Sequence, residues 1–346
     1  MMMKKFLSAA LILCMPLSMT VSAQTAGNQE DGDAVQEVII YHTNDTHGYL
    51  NGDGEEIVGI ALAAGLKEST PNSILVDAGD ATQGLPLASL TKGADVIELM
   101  NLAVYDLMTP GNHEFDFGTE TFLSNAQKAD FPVLAANIYR NGSPLLKDVQ
   151  EDSSGCHAVL EQNGVRIGFF GLTTADTASS TNPAGIKDLE FRDEIETAKT
   201  EINHLKEEGA DVIVAMCHMG NMDASCTSAD LADAMTGEYQ DKIDVIIDGH
   251  SHTVENEETN GILIVQTGSG MAGIGKLTLE VRGDEVSASE ELLGPADLAD
   301  IVPDAAVAER LKQIESSQSD LLGETVSTTE TTLWAGQVGV VALTRL

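Results

Sequence analysis

Short aliphatic runs alternate with longer amphipathic stretches along most of this chain. Residues 37–41, 73–76, 107–109, 131–136, 165–171, 211–217 and 244–247 have the length and apolar content of buried strands. Between them, residues 57–66, 94–104 and 193–207 carry the spacing of helices. Three further strand patterns at 262–266, 277–281 and 286–293 close the series, and 305–318 predicts a last helix. Strands alternating with helices predict an α/β fold with a largely parallel, buried sheet.

The first 23 residues break this pattern. Lys4 and Lys5 precede an apolar stretch interrupted by Pro16, and Val21-Ser22-Ala23 offers the small residues of a processing site. This reads as a secretory signal peptide cleaved after Ala23, which puts the protein in the periplasm or the external medium. A membrane anchor is the competing reading, but the run is short and Pro16 breaks it. No later stretch reaches about 18 consecutive apolar residues, so no stable membrane insertion is expected. Residues 24–36 are polar and acidic, a flexible lead-in; the patterned domain occupies 37–294, and 295–322 read as a linker and helix.

With 55 acidic against 18 basic side chains, the formal charge is −37. Such a surface repels nucleic-acid polymers and anionic membranes. It still admits a small anion where bound cations invert the local potential. Beyond the leader stand Cys156, Cys217 and Cys226. An odd count leaves at least one thiol unpaired and allows one bridge. Cys217 lies in an apolar strand pattern and is expected to be a buried thiol.

The polar chemistry gathers just past the carboxyl ends of the strand patterns. His42, Asn44, Asp45 and His47 follow the first; Asp77 and Asp80 the second; Asn112, His113 and Asp116 the third. His218 follows residue 217, and His250 and His252 follow residue 247. Open α/β sheets form their sites outside these ends. Asp, His and Asn are the ligands of a divalent site of mixed O/N type. Two such ions about 3.5–4 Å apart can activate a water and stabilise both oxygens of an in-line phosphoryl displacement. Each motif alone is weak, since Asp-X-His or Gly-Asn-His is usually a turn. Five of them in order at successive strand ends make a specific signal. Asp77 is either a partner of a ligand histidine or a turn cap. His42 is either support for the site or a strand end, and Asn44 is equally open. His157 and His204 read as surface histidines. Residues 268–273 match GxGxxG, but a strand pattern follows rather than a helix, so a flexible loop beside the metal centre is expected instead of a dinucleotide site.

These motifs carry a resemblance. His42-Thr43-Asn44-Asp45-Thr46-His47-Gly48, Asp77-Ala78-Gly79-Asp80, Gly111-Asn112-His113-Glu114-Phe115-Asp116, Cys217-His218-Met219-Gly220 and Gly249-His250-Ser251-His252 resemble the 5'-nucleotidase and UDP-sugar hydrolase group of calcineurin-like metallophosphoesterases. The resemblance spans roughly residues 37–294. It implies a four-layer α/β/β/α sandwich and two divalent metal ions, zinc, manganese or similar. It implies Asp45, His47 and His252 as ligands of the first ion, Asp80 as the bridging carboxylate, and Asn112, His218 and His250 as ligands of the second. It implies His113 and Asp116 as the catalytic dyad. Some relatives carry Gln at the position of His252. Relatives continue into a second domain that clamps the nucleoside; residues 323–332 resemble its start and 337–346 do not follow it, so 323–346 read as a truncated start of that domain. The expectation is an exported dimetal phosphoesterase acting on a nucleotide or related small phosphate ester. The alternatives are a UDP-sugar or 2',3'-cyclic nucleotide phosphodiesterase, or an exported metal-binding protein without turnover. The sequence leaves the oligomeric state open.

Overall fold

The computed structural model describes residues 34–323 apart from Asp152 and Asp223. The signal-peptide reading of residues 1–23, and all but Gly323 of the second-domain reading of residues 323–346, lie outside them. Fourteen strands form three sheets among these residues. In chain order they are β1 (Gln36–Thr43), β2 (Ile74–Asp77), β3 (Leu107–Met108), β4 (Ile138–Arg140), β5 (Ser143–Pro144), β6 (His157–Gln162), β7 (Val165–Thr173), β8 (Leu189–Phe191), β9 (Val212–His218), β10 (Val245–Ile247), β11 (Val254–Thr259), β12 (Ile262–Thr267), β13 (Ile274–Arg282) and β14 (Glu285–Leu293).

The first sheet runs β14-β13-β1-β2-β3 and the second β11-β12-β10-β9-β7-β6; β5-β4-β8 make a small third. The central pairs β1–β2, β2–β3, β7–β9, β9–β10 and β10–β12 are parallel. The flanking pairs β1–β13, β13–β14, β6–β7 and β11–β12 are antiparallel. Two mixed sheets therefore replace the single largely parallel one that the alternation suggests.

Burial explains why there are two. Val38, Ile40, Ile74 and Val76 of the first sheet share one apolar cluster with Ile167, Phe169, Val214 and Ile247 of the second. The opposite face of the first sheet packs Tyr41, Leu75 and Met108 under Ile60, Leu99, Phe122 and Leu311 of four helices. The opposite face of the second packs Phe170, Ile213 and Cys217 under Ala198, Ile202 and Leu231 of two more. Strands buried on both faces read as continuous aliphatic runs. The result is helix, sheet, sheet, helix: the four-layer α/β/β/α sandwich.

The helix Glu194–Glu207 starts where the Asp193 side chain accepts from Glu196 N. The helix Ala305–Leu322 starts in the same way at Asp304, which accepts from Val307 N. Residues 131–136 are not a strand; they contribute a single parallel bridge, Met108 to Val133. Their apolarity comes from lying between layers, with Leu134 facing the sheets and Phe131 and Val133 facing the helices. Cys156, Cys217 and Cys226 are all free thiols, and Cys217 is buried as expected.

Candidate active site

The strands that share the parallel core all deliver their carboxyl ends to one place. β1 ends at Thr43, β2 at Asp77, β3 at Met108, β9 at His218 and β10 at Ile247. The loops beyond them turn sharply. Asp45, His47, Asp80, His250 and His252 have φ of 48°, 47°, 58°, 79° and 56°. Asp and His tolerate the left-handed region better than most side chains, and strain held by surrounding structure concentrates at functional sites. Two glycines let the loops close on each other. A Cβ on Gly111 would stand 2.2 Å from Asp80 Oδ1, and one on Gly249 would stand 2.8 Å from His218 Nδ1.

Two groups of side chains that could hold a cation result. In one, His252 Nε2 lies 3.2 Å from Asp45 Oδ1 and 3.1 Å from His47 Nε2. His47 Nδ1 donates to the Gln83 carbonyl at 3.0 Å, which leaves its Nε2 as a lone pair. In the other, His218 Nε2 lies 3.1 Å from Asp80 Oδ2, and His250 Nδ1 lies 2.9 Å from Asn112 Oδ1. His218 Nδ1 donates to the Ala78 carbonyl at 2.7 Å, so its Nε2 is the nitrogen turned toward Asp80. Asp80 Oδ2 joins the groups, 3.9 Å from His47 Nε2 as well. The seven side chains named from the motifs as metal ligands thus converge on one cleft.

The donor set fits cations. Asp45 Oδ1 and His218 Nε2 are buried with no hydrogen-bond partner and lie 4.0 Å apart. Burial opposes charge on Asp80 and His218 alike, yet their mutual attraction holds Asp80 below and His218 above their ordinary values. The carboxylates therefore draw positive charge into the space between them. Burial, and then His218, push His250 below its ordinary value.

His113 stands at the rim. Its backbone N–H donates to Asp80 Oδ1 at 2.8 Å, and its Nδ1 pairs with Asp116 Oδ2 at 2.7 Å. Asp116 Oδ1 in turn accepts from the Thr181 hydroxyl at 2.6 Å. Burial opposes protonation of His113, but Asp80 and Asp116 outweigh it and raise the imidazole above its usual value. His113 and Asp116 are brought together and tied to Asp80.

The residues left open resolve as follows. Asp77 caps its own turn, accepting from Gly79 N at 2.9 Å and the Thr43 hydroxyl at 2.6 Å. His42 faces away toward Glu290 at 3.0 Å. Asn44 positions Asp45, donating to its Oδ2 at 2.7 Å, while its own Oδ1 accepts from Thr267 N. Residues 268–273 flank the cleft, with Gly270 N donating to the Asp45 carbonyl at 2.8 Å.

Two organising carboxylates were not singled out from sequence. Glu114 accepts from the backbone N–H groups of Asp80, Ala81, Thr82 and Gly111, and so fastens the β2 loop to the β3 loop. Asp248 accepts from Met219 N, Gly220 N and the Ser228 hydroxyl, joining the β9 and β10 loops. The available signal was an acid inside a motif for Glu114 and one directly before a motif for Asp248.

The chain belongs to the calcineurin-like phosphoesterase family, whose profile matches residues 39–254. It is similar to "Endonuclease YhcR" of Bacillus subtilis, 32% identical over 88% of this chain and 27% of that one. It is similar to the 5'-nucleotidase of Vibrio cholerae, 33% identical over 72% of this chain and 45% of that one. The chain thus spans less than half the length of these relatives. In fold it is similar to the crystal structure of the calcineurin-like phosphoesterase YfkN from Bacillus subtilis, with a TM-score of 0.68 and 22% identity, covering 84% of this chain and 100% of that chain.

Proposed function

We propose that this protein is an exported phosphoesterase that hydrolyses nucleotide-type phosphate esters with the help of two divalent ions. The observation that carries the reading is the sharing of Asp80: it faces His218 in one group, reaches His47 in the other, and anchors the His113 backbone. Asp45, His47 and His252 would hold one ion, and Asn112, His218 and His250 the other, with Asp80 between them. Bound there, the ions would supply an activated water and neutralise charge on the phosphoryl oxygens. The nucleotide preference rests on the motif resemblance and on the relatives' names, and export on the pattern of residues 1–23.

The chain's own residues do the rest. His113, with Nδ1 held by Asp116, would donate from Nε2 to a phosphoryl or leaving oxygen. Asp116 fixes the ring orientation, and Thr181 fixes Asp116. Asn44 and His250 N each donate to Asp45 Oδ2, which turns Oδ1 toward the cleft.

Metal-reconstituted protein should release phosphate from AMP or from a generic aryl phosphate. His113→Ala should lower kcat by about 10²–10⁴-fold while bound metal stays unchanged. A protein that holds two ions yet turns over no nucleotide, sugar nucleotide, cyclic nucleotide or aryl ester would be a binding protein instead. Loss of both ions on His113→Ala would contradict the role given to that residue.

A further inference from the structure

A second set of metal-ligating side chains lies on the outer layer, away from the loops just described. The helix Glu194–Glu207 presents Glu201 and His204 one turn apart, and its C-cap residue Glu208 a further turn on. His157, the first residue of the edge strand β6, faces this row. His157 Nδ1 lies 2.5 Å from Glu201 Oε2, and His204 Nδ1 lies 3.4 Å from the same oxygen. His157 Nε2 lies 3.2 Å from Glu208 Oε1. The two imidazoles stand 5.5 Å apart. One ligating atom each from His157, Glu201 and His204 falls within 4.8 Å of the others.

The donor chemistry is selective. Two imidazoles with one or two carboxylates suit a borderline ion such as Zn²⁺ better than Ca²⁺ or Mg²⁺, which favour all-oxygen sites. The Glu201 carboxylate is buried, with only 7% of its side chain exposed, whereas that of His204 is 48% exposed. An ion could enter from solvent and meet a fixed carboxylate at the base.

We propose that His157, Glu201 and His204 form a divalent-metal site of zinc type, distinct from the cleft, with water completing the coordination. It would fasten β6 to the helix that covers the second sheet. Nothing in this reading depends on the phosphoesterase chemistry.

The test compares zinc content after equilibrium dialysis of the wild type and of His204→Ala, a change at a half-exposed position that the core does not feel. Wild type should hold one zinc per chain more than the variant, whatever number the cleft itself retains. Crystals soaked in zinc should show an anomalous peak about 2.0–2.2 Å from the ring nitrogens and the Glu201 oxygen. Equal zinc content in the two proteins would overturn the site. So would soaked crystals with peaks elsewhere and none at this cluster.

Discussion

Glu114 shows how a single side chain can govern a site it does not enter. Its carboxylate collects four backbone N–H groups and the Thr82 hydroxyl, almost all from residues around Asp80. Glu114→Gln keeps the shape but turns one acceptor oxygen into a donor facing donors. A charged hydrogen bond of this kind contributes about 1.5–3 kcal/mol. We expect the variant to be destabilised by that order and to bind the cleft ions about 10–100-fold more weakly. Unchanged metal affinity measured by competition with a chelator would show that Asp80 does not need this support. Asp77 gives a prediction of the opposite sign. Burial raises its carboxyl to about 8, whereas unfolded it ionises near 3.8. Between those values the folded state binds the extra proton, so this group's contribution to stability falls as pH rises from about 4 to about 8. Each pH unit in that window costs at most about 1.4 kcal/mol. In metal-free protein, Asp77→Asn should therefore gain on the wild type in urea midpoint between pH 5 and pH 8. A difference that stays flat across that range would refute the buried-proton account.

At the scale of elements, legibility followed burial. β1, β2, β7, β9, β10 and β12 lie wholly or mostly inside, and their aliphatic runs announced them in the sequence. β6 and β11 are edge strands, the latter spelled Val-Glu-Asn-Glu-Glu-Thr with most residues exposed. β11 carries no apolar signal because solvent rather than core meets its side chains, whereas the Ala158-Val159-Leu160 run of β6 is short and half-buried. Residues 131–136 failed in the other direction: packing between layers made them apolar without a ladder. The site was more legible than the fold around it. Aspartate, asparagine and histidine gathered at loops with positive φ leave a compositional mark that packing does not produce. Glu114 and Asp248 escaped because their partners are backbone N–H groups, and no side-chain pattern records those. His157 and His204 read as unrelated surface residues because one lies on a strand and the other on a helix; only the fold sets them side by side.

The whole molecule turns on the seam between its two sheets. Asp45, His47, Asp80 and Asn112 follow strands of the first sheet, while His218, His250 and His252 end or follow strands of the second. On the proposed assignment each ion takes ligands from both, His252 joining Asp45 and His47, and His218 and His250 joining Asn112 and Asp80. The ions would then be cross-links as well as reagents. Without them, the seam gathers the buried Asp45 and Asp80 carboxylates in a chain whose net charge of −37 already opposes compaction. A ligand that binds only the folded state stabilises it by about 4 kcal/mol at a thousandfold excess over its Kd. Chelation should thus lower Tm and release amide-exchange protection at the β2 and β9 loops together, and re-addition of zinc or manganese should restore both. Matched ionic strength in monovalent salt separates this from simple screening of surface acids. Repeating the titration in His204→Ala removes any contribution from the outer-layer cluster. A chelated protein that loses turnover while Tm and exchange at both loops stay unchanged would mean that the ions leave the seam as it was, and that packing of the inter-sheet core alone holds the halves together.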